Sequence, residues 1–318
     1  MASIVNANFN DIVGFKMAFG RHETFHLSDG WLTKGLDAIH KAPAAFLNPN
    51  AHHDLGIGIN MAKSIRYWLE ASGLCQVVEV DMGKPRMSHG LELTEMGRLL
   101  LKADRYFEAP GSSWLIHLNL ALSVELAPVW YWSFNLTNSA EFSIENLEGE
   151  VLDYAEMSAY RAPTAGSVRK DVRCFVRTYL QVDGDDKLSA VDDPLGSPLS
   201  SLGLIVKTKG NGRYRIDFGN HPSLPIEIFL YVLYSFAAGE SVLSFDSARW
   251  RPNSTGRILC IDTDEIRALI SKSQAKYGSD VVSEVQTAGL DSIHLNSTRA
   301  AVDFISDYYD GLRGGAAL

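Results

Sequence analysis

Cysteine is scarce in this chain, and positive charge is in short supply. Cys75, Cys174 and Cys260 are the only cysteines in 318 residues, and their wide separation excludes the close pairs that zinc ribbons and dithiol redox motifs require. Basic residues number 29 against 38 acidic ones, a formal net charge of −9, which opposes binding of a polyanion by the chain as a whole. No apolar run is long enough to cross a bilayer comfortably, since the longest, residues 224–238, is interrupted by Glu227. The first residues lack a basic start followed by a continuous apolar stretch, so no signal peptide is read there and the expected compartment is the cytoplasm. A P-loop and a dinucleotide fingerprint are also missing: Gly56 and Gly58 in LGIGIN lack the third glycine and the acidic partner. There is no carboxylate-carboxylate-lysine nuclease pattern on consecutive strands, no fixed-period repeat and no low-complexity linker.

The hydrophobic content, 46%, is ample for buried cores, and the length suggests two or three modules packed together. The acid excess is uneven. Residues 1–110 carry 11 basic and 12 acidic side chains, a net of −1. In this stretch the pattern predicts a helix from Asp29 through Trp31, Leu32, Leu36 and Ile39, then a turn at Gly56 and Gly58 and a helix capped by Asn60. On that second helix Met61, Ile65, Trp68 and Leu69 share one arc, and Asn60, Lys63, Arg66, Tyr67 and Glu70 the other. The polar arc suits a recognition helix in a major groove; an ordinary solvated face explains it equally. A hairpin with a basic tip, Lys84, Arg86 and His89, follows, and LELTEMGRLLL returns into a helix capped by Thr94. That order is expected of a winged helix, with the tip positioning on phosphate or minor groove.

Residues 106–160 are rich in aromatic side chains, which read as core more readily than as a base-stacking surface. Two helices are expected there, one starting at Ser112 or Ser113 and one over 144–154, with His117 a hydrogen-bonded interior residue. A second winged-helix-like pattern begins with a helix capped by Ser167. Its apolar face is Val168, Val172, Phe175, Val176 and Tyr179, and its polar face carries Arg169, Lys170, Arg173 and Arg177. An acidic stretch follows, then a hairpin around Gly210-Asn211-Gly212. Alternation is expected to point Lys207, Lys209, Arg213 and Arg215 to one face, as a phosphate-binding patch or as charges protecting an edge strand. The remainder reads as architecture: a buried helix near 224–238, a helix capped by Asp262 with Glu265, and one from Ser297 to Tyr309. The expected fold is α+β, mainly helical, with winged-helix-like modules packed around a helical core. Its parts are an N-terminal winged-helix-like DNA-binding module over 1–105, an aromatic-rich helical connecting region over 106–160, and a second such module with C-terminal helices over 161–318.

For chemistry, RHETFH satisfies the H-E-x-x-H zinc-peptidase pattern at His22, Glu23 and His26. Its context is poor, because the helix is expected to start only at Asp29 and no third ligand follows at a recognisable spacing. His22 and Glu23 are alternatively a base or metal ligands for phosphodiester cleavage, which needs an activated water and neutralised charge. A structural role at the start of the helix explains them as well.

These segments, FGRHETFHLSDGWLTKGL, LGIGINMAKSIRYWLEASGL, LTEMGRLLL, WLIHLNLAL, DDPLGSPLSSLGLI and NSTGRILCI, resemble the SspB family, long catalogued as a bacterial domain of unknown function, in the same order over most of the chain. The matched positions are His22, Glu23, Thr24, Phe25, Trp31 and Lys34, then Gly56, Gly58, Asn60, Lys63, Arg66, Tyr67 and Trp68. The resemblance implies the DNA-nicking component of the Ssp phosphorothioation system, an antiphage defence in which sulfur replaces a non-bridging phosphate oxygen on one strand. Double-stranded DNA is the implied substrate, with a cysteine desulfurase, an ATPase and an ATP-pyrophosphatase-type protein as partners. A divalent metal, magnesium, is the expected cofactor, with its ligands unassigned. A noncatalytic DNA-binding or scaffold role in the same system, or a zinc peptidase, are the competing expectations. Family members carry an uncharged residue where His26 stands, which weakens the peptidase pattern. The ADRYFEAP segment departs from the Asp-Pro-Tyr-type run expected there, so no site is carried over to it.

Overall fold

Short polar residues ahead of apolar periodic runs mark most helix starts in this chain. The computed structural model describes residues 15–83, 85–181, 196–210, 212–287 and 290–315; Lys84, Asn211 and the acidic stretch after the second basic helix lie outside them. Helix α1 (Trp31–Lys41) buries Trp31, Leu32, Leu36 and Ile39 and begins at Gly30, with no side-chain cap from Asp29. After the short α2 (Ala51–Asp54), α3 (Ile59–Ala71) starts behind Gly58, so Asn60 lies inside the first turn instead of capping it. Strands β1 (Cys75–Val80) and β2 (Ser88–Leu93) pair antiparallel from Cys75 opposite Leu93 to Val80 opposite Ser88. Thr94 then caps α4 (Glu95–Ala103), its hydroxyl accepting the Gly97 N–H at 3.0 Å. Helices α1 and α3 touch because residue 35 is glycine: a Cβ there would fall 2.6 Å from Leu69 Cδ1.

Next come α5 (Pro110–Leu122), α6 (Pro128–Asn135), strand β3 (Phe142–Ser143) and α7 (Ile144–Ser158). Proline in the first turn starts α5 ahead of the expected serines. Trp114, Trp130, Tyr131 and Phe134 are buried, as expected of core. Helix α8 (Ala165–Tyr179) is capped by Thr164 and not by Ser167, and it buries all five of its expected apolar residues. The hairpin β4 (Ile205–Lys207) and β5 (Arg213–Ile216) recruits β3 into a sheet of order β3-β5-β4. Beyond it come α9 (Ile226–Ala237), β6 (Val242–Ser244), α10 (Phe245–Trp250), α11 (Thr255–Ile258) and α12 (Thr263–Tyr277). The chain continues through β7 (Val282–Thr287), β8 (Leu290–Leu295) and α13 (Ala301–Gly315). Asp262 caps α12 as expected, accepting the Glu265 N–H at 2.8 Å, whereas the last helix starts at Ala301 instead of following Ser297. The sheet β6-β8-β7 was not expected. The fold is α+β and mainly helical with small antiparallel sheets, and one core draws on residues from Leu27 to Tyr309. No described helix is long and apolar enough to cross a membrane.

His117 sits in that core with no exposed surface. Nε2 is 2.7 Å from the Ile258 carbonyl and Nδ1 is 2.8 Å from the Tyr179 hydroxyl, so the neutral ring donates from Nε2 and accepts at Nδ1. Burial pushes its pKa down from 6.5 to about 4. A histidine held neutral in the fold contributes stability that is full above its unfolded pKa and lost as pH falls toward the folded value. Acidification from pH 7 to 4 is expected to remove roughly 3 kcal/mol through this group. Urea denaturation across that range should be flatter for His117→Gln; an unchanged profile would assign the acid sensitivity to other residues.

Candidate active site and nucleic-acid interface

The RHETFH segment is a turn, not a helix. Glu23 and Thr24 both adopt left-handed backbone conformations, φ 51° and 74°, which are uncommon outside glycine and strained for a β-branched threonine. The turn is tied from below. Asp171 Oδ1, buried on α8, accepts the Gly20 N–H at 2.7 Å and lies 2.8 Å from His22 Nε2. The Thr24 N–H reaches His22 Nδ1 at 3.1 Å. Burial disfavours a positive charge on His22 while Cys174 and Asp171 favour one, for a net upward pull on its pKa. The Thr24 N–H, however, occupies Nδ1, and that bond requires a neutral ring with its proton on Nε2. Burial raises the Asp171 carboxyl above its ordinary value, against the His22 and Gly20 donors that lower it.

This geometry corrects two expectations. His22 has no exposed surface and both ring nitrogens are engaged, so it holds the turn and does not meet a substrate. The zinc-peptidase arrangement fails because two left-handed residues separate the histidines that a helix would have aligned. His26 is buried and has a partner of its own. Among the described residues no group of three or more histidine, cysteine, aspartate or glutamate side chains is arranged to hold a metal ion.

Glu23 is the part of the turn that faces outward. Its Oε1 lies 3.4 Å from Lys63 Nζ, with the side chains 35% and 57% exposed, an ion pair worth about 0–1 kcal/mol in water. Lys63 also donates to Asn60 at 3.2 Å. Arg66 donates to the His89 carbonyl at 2.7 Å and to Glu70 at 3.3 Å, joining α3 to β2, and Arg21 reaches Glu70 at 3.5 Å. The polar arc of α3 is therefore narrower than its periodicity suggests. Tyr67 is 2% exposed, its hydroxyl donating to the Leu126 carbonyl at 2.9 Å, and Glu70 is buried. Asn60, Lys63 and part of Arg66 are left to solvent. Arg86 is exposed on the hairpin tip; Lys84 lies outside the described residues.

On α8, Asp171 and Cys174 turn toward the loop, with the Cys174 thiol 3.4 Å from the Phe25 carbonyl. The exposed cations of the helix differ in their pairing. Arg169 is taken by Glu148 through two bonds of 2.8 and 3.0 Å, whereas Lys170, Arg173 and Arg177 are exposed without an ion pair among the described residues. The hairpin cations do not share a face. Lys207 stands opposite Tyr214 and Val206 opposite Arg215, and directly opposed residues point the same way. Lys207 and Lys209 thus occupy one side, and Arg213 and Arg215 the other, where they reach Glu141 at 3.8 Å and Asp217 at 2.8 Å.

Loop 20–25, α3 and α8 are thus brought together, although they are some 100 residues apart in part. Asp171 was missed from the sequence; its signal was a carboxylate at the border of an otherwise apolar arc. A cleft of about 730 Å³ between α1 and residues 44–55 is lined by Lys34, Asp37, Lys41, Phe46 and Met82 and includes none of the loop.

A family model described as protein of unknown function (DUF4007) matches residues 19–309. An SspB crystal structure is similar over 95% of this chain and 91% of its own, with 30% identity and a TM-score of 0.84. A magnesium ion-bound SspB crystal structure is similar over 93% and 89%, again with 30% identity, at a TM-score of 0.83. No curated protein is significantly similar in sequence.

Proposed function

The chain belongs to the SspB family and matches the DUF4007 family model, and from that premise we propose that it is the DNA-binding, strand-nicking component of a phosphorothioation system. The clamped turn is the main support. It holds one outward carboxylate, Glu23, in a strained backbone beside Lys63, on a loop tied to α8, the helix that carries the exposed Lys170, Arg173 and Arg177, and strained residues fixed by their surroundings concentrate at functional sites. Glu23 takes the proton from a water that attacks phosphorus, and the P–O bond to the leaving oxygen breaks as the new one forms, the leaving oxygen taking a proton from solvent to end as a hydroxyl. Lys63 opposes the charge on the phosphate, and His22 and Asp171 position the turn. The order α1, α3, β1-β2, α4 supports winged-helix docking, with Asn60, Lys63 and Arg66 toward the major groove and Arg86 toward the backbone.

Magnesium, present in a similar SspB structure, is the cation to supply in an assay. Among the described residues no group of three His, Cys, Asp or Glu side chains is arranged to hold a metal, and one Glu23 oxygen already faces Lys63. A cysteine desulfurase, an ATPase and an ATP-pyrophosphatase-type protein are the proposed partners.

Purified protein with Mg²⁺ is expected to convert supercoiled plasmid to the open-circular form. Binding without conversion would make it a noncatalytic scaffold. Replacing Lys170, Arg173 and Arg177 together by glutamine is expected to reduce the salt slope of duplex binding by about 2–3. Neutralising Lys207, Lys209, Arg213 and Arg215 should change it by no more than about 2, because only one pair can face a given duplex. An unchanged slope in the α8 variant would remove that helix from the interface.

A further inference from the structure

Two arginines are buried side by side near the end of α10 without a counter-charge. Arg249 and Arg257 are 5% and 7% exposed, and neither has a carboxylate at ion-pair distance among the described residues; Asp262 acts on Arg249 only from farther away. Arg257 is held by the Thr137 carbonyl and Asn138 Oδ1, each at 2.9 Å. Among the described residues Arg249 Nη1 and the Thr255 hydroxyl are buried without a hydrogen-bond partner. Tyr131 and Asn253 are neighbours. Asn253 is fixed with φ 65° while its N–H donates to Asn135 at 2.7 Å. Gly256 lets the backbone of α10 close onto this group, since a Cβ there would lie 2.8 Å from Arg249 Cα and Cδ. Buried charge and orphaned polar atoms are unfavourable unless something pairs with them.

Directly over the arginines lies Trp250, whose side chain is 55% exposed. The Arg249 guanidinium is 4.1 Å and that of Arg257 5.6 Å from its ring. A tryptophan pinned by cations yet more than half exposed is a stacking platform for a nucleobase, and an unpaired guanidinium against it matches a phosphate oxygen.

We propose that Arg249 and Trp250 form a nucleotide-binding site that holds one unstacked base and its phosphodiester from a single DNA strand, a second DNA contact separate from Glu23. It rests on the DNA-nicking reading above; the Trp250 ring stays in place to stack the base, and the Arg249 side chain shifts to bring its buried Nη1 to the phosphate. Arg257 and Asn253 frame the site.

The test is fluorescence anisotropy of the full chain with a labelled single-stranded oligothymidylate and, in parallel, a duplex, together with thermal denaturation without DNA. Trp250→Ala, at an exposed position that should not disturb folding, is expected to weaken single-strand binding about 5- to 100-fold. Arg249→Met is expected to weaken it about 10- to 100-fold and to raise the melting temperature of the DNA-free protein, because an uncompensated buried charge is gone. Duplex affinity should change little in either variant, and Glu23→Gln should leave single-strand binding intact. Unchanged single-strand affinity in both variants, or a lowered melting temperature for Arg249→Met with affinity retained, would overturn the site and leave the nicking proposal standing. Failure of the wild type to bind either DNA would overturn both.

Discussion

Glu23→Gln is expected to lower plasmid nicking by about 10²–10⁴-fold, the usual contribution of a positioned general base. The amide matches the carboxylate in size and makes no new demand on the left-handed turn, but it cannot accept a proton from the attacking water. Duplex affinity should hold, because Lys63, released from its partner at 3.4 Å, gains freedom to meet a phosphate. Initial rates of open-circular product, measured beside binding, separate the two effects. A Gln variant that nicks at the wild-type rate would exclude Glu23 from the chemistry.

Asp171→Ala is expected to destabilise the protein by roughly 2–5 kcal/mol. The carboxylate satisfies two donors, the part-buried Gly20 N–H and the buried His22 Nε2–H, and each orphaned donor costs about 1–3 kcal/mol. The left-handed residues above it store about 1–3 kcal/mol of strain each and persist only while the surroundings hold them, so the loop should relax as well. Asp171→Asn keeps an acceptor oxygen and should retain most of the stability. Urea denaturation reads the difference, and a change below about 1 kcal/mol for the alanine variant would contradict the clamp. Nicking by the folded fraction should also fall, since Glu23 is placed through this bond.

Local signals served well where a cap or a face decides the outcome. Thr94 and Asp262 cap as their spacing implies, and the apolar stripe of α8 is buried throughout. Where tertiary contact decides, the pattern was insufficient. Tyr67 sits on the polar arc of α3 yet is covered, its hydroxyl finding the Leu126 carbonyl. The hairpin cations alternate within each strand, but which face the two strands share depends on register, and the pairing of Lys207 with Tyr214 sets the two pairs on opposite sides. The sheet β6-β8-β7 joins segments about 40 residues apart that carry no strong turn between β6 and its partner. Most of the candidate site is similarly nonlocal: His22 and Glu23 were visible as residues, while the Asp171 contact that gives them different roles spans 149 positions.

Acetylation of lysine amines, read by mass spectrometry with and without a bound duplex, asks most directly whether loop 20–25, α3 and α8 present one DNA-facing surface. Lys63, on α3 beside Glu23, and Lys170, on α8 beside Asp171, are both exposed. Both should be protected together when DNA binds, while Lys272, exposed on α12, continues to react. Equal modification of Lys63 and Lys170 in free and DNA-saturated protein would place the nucleic acid elsewhere on the molecule.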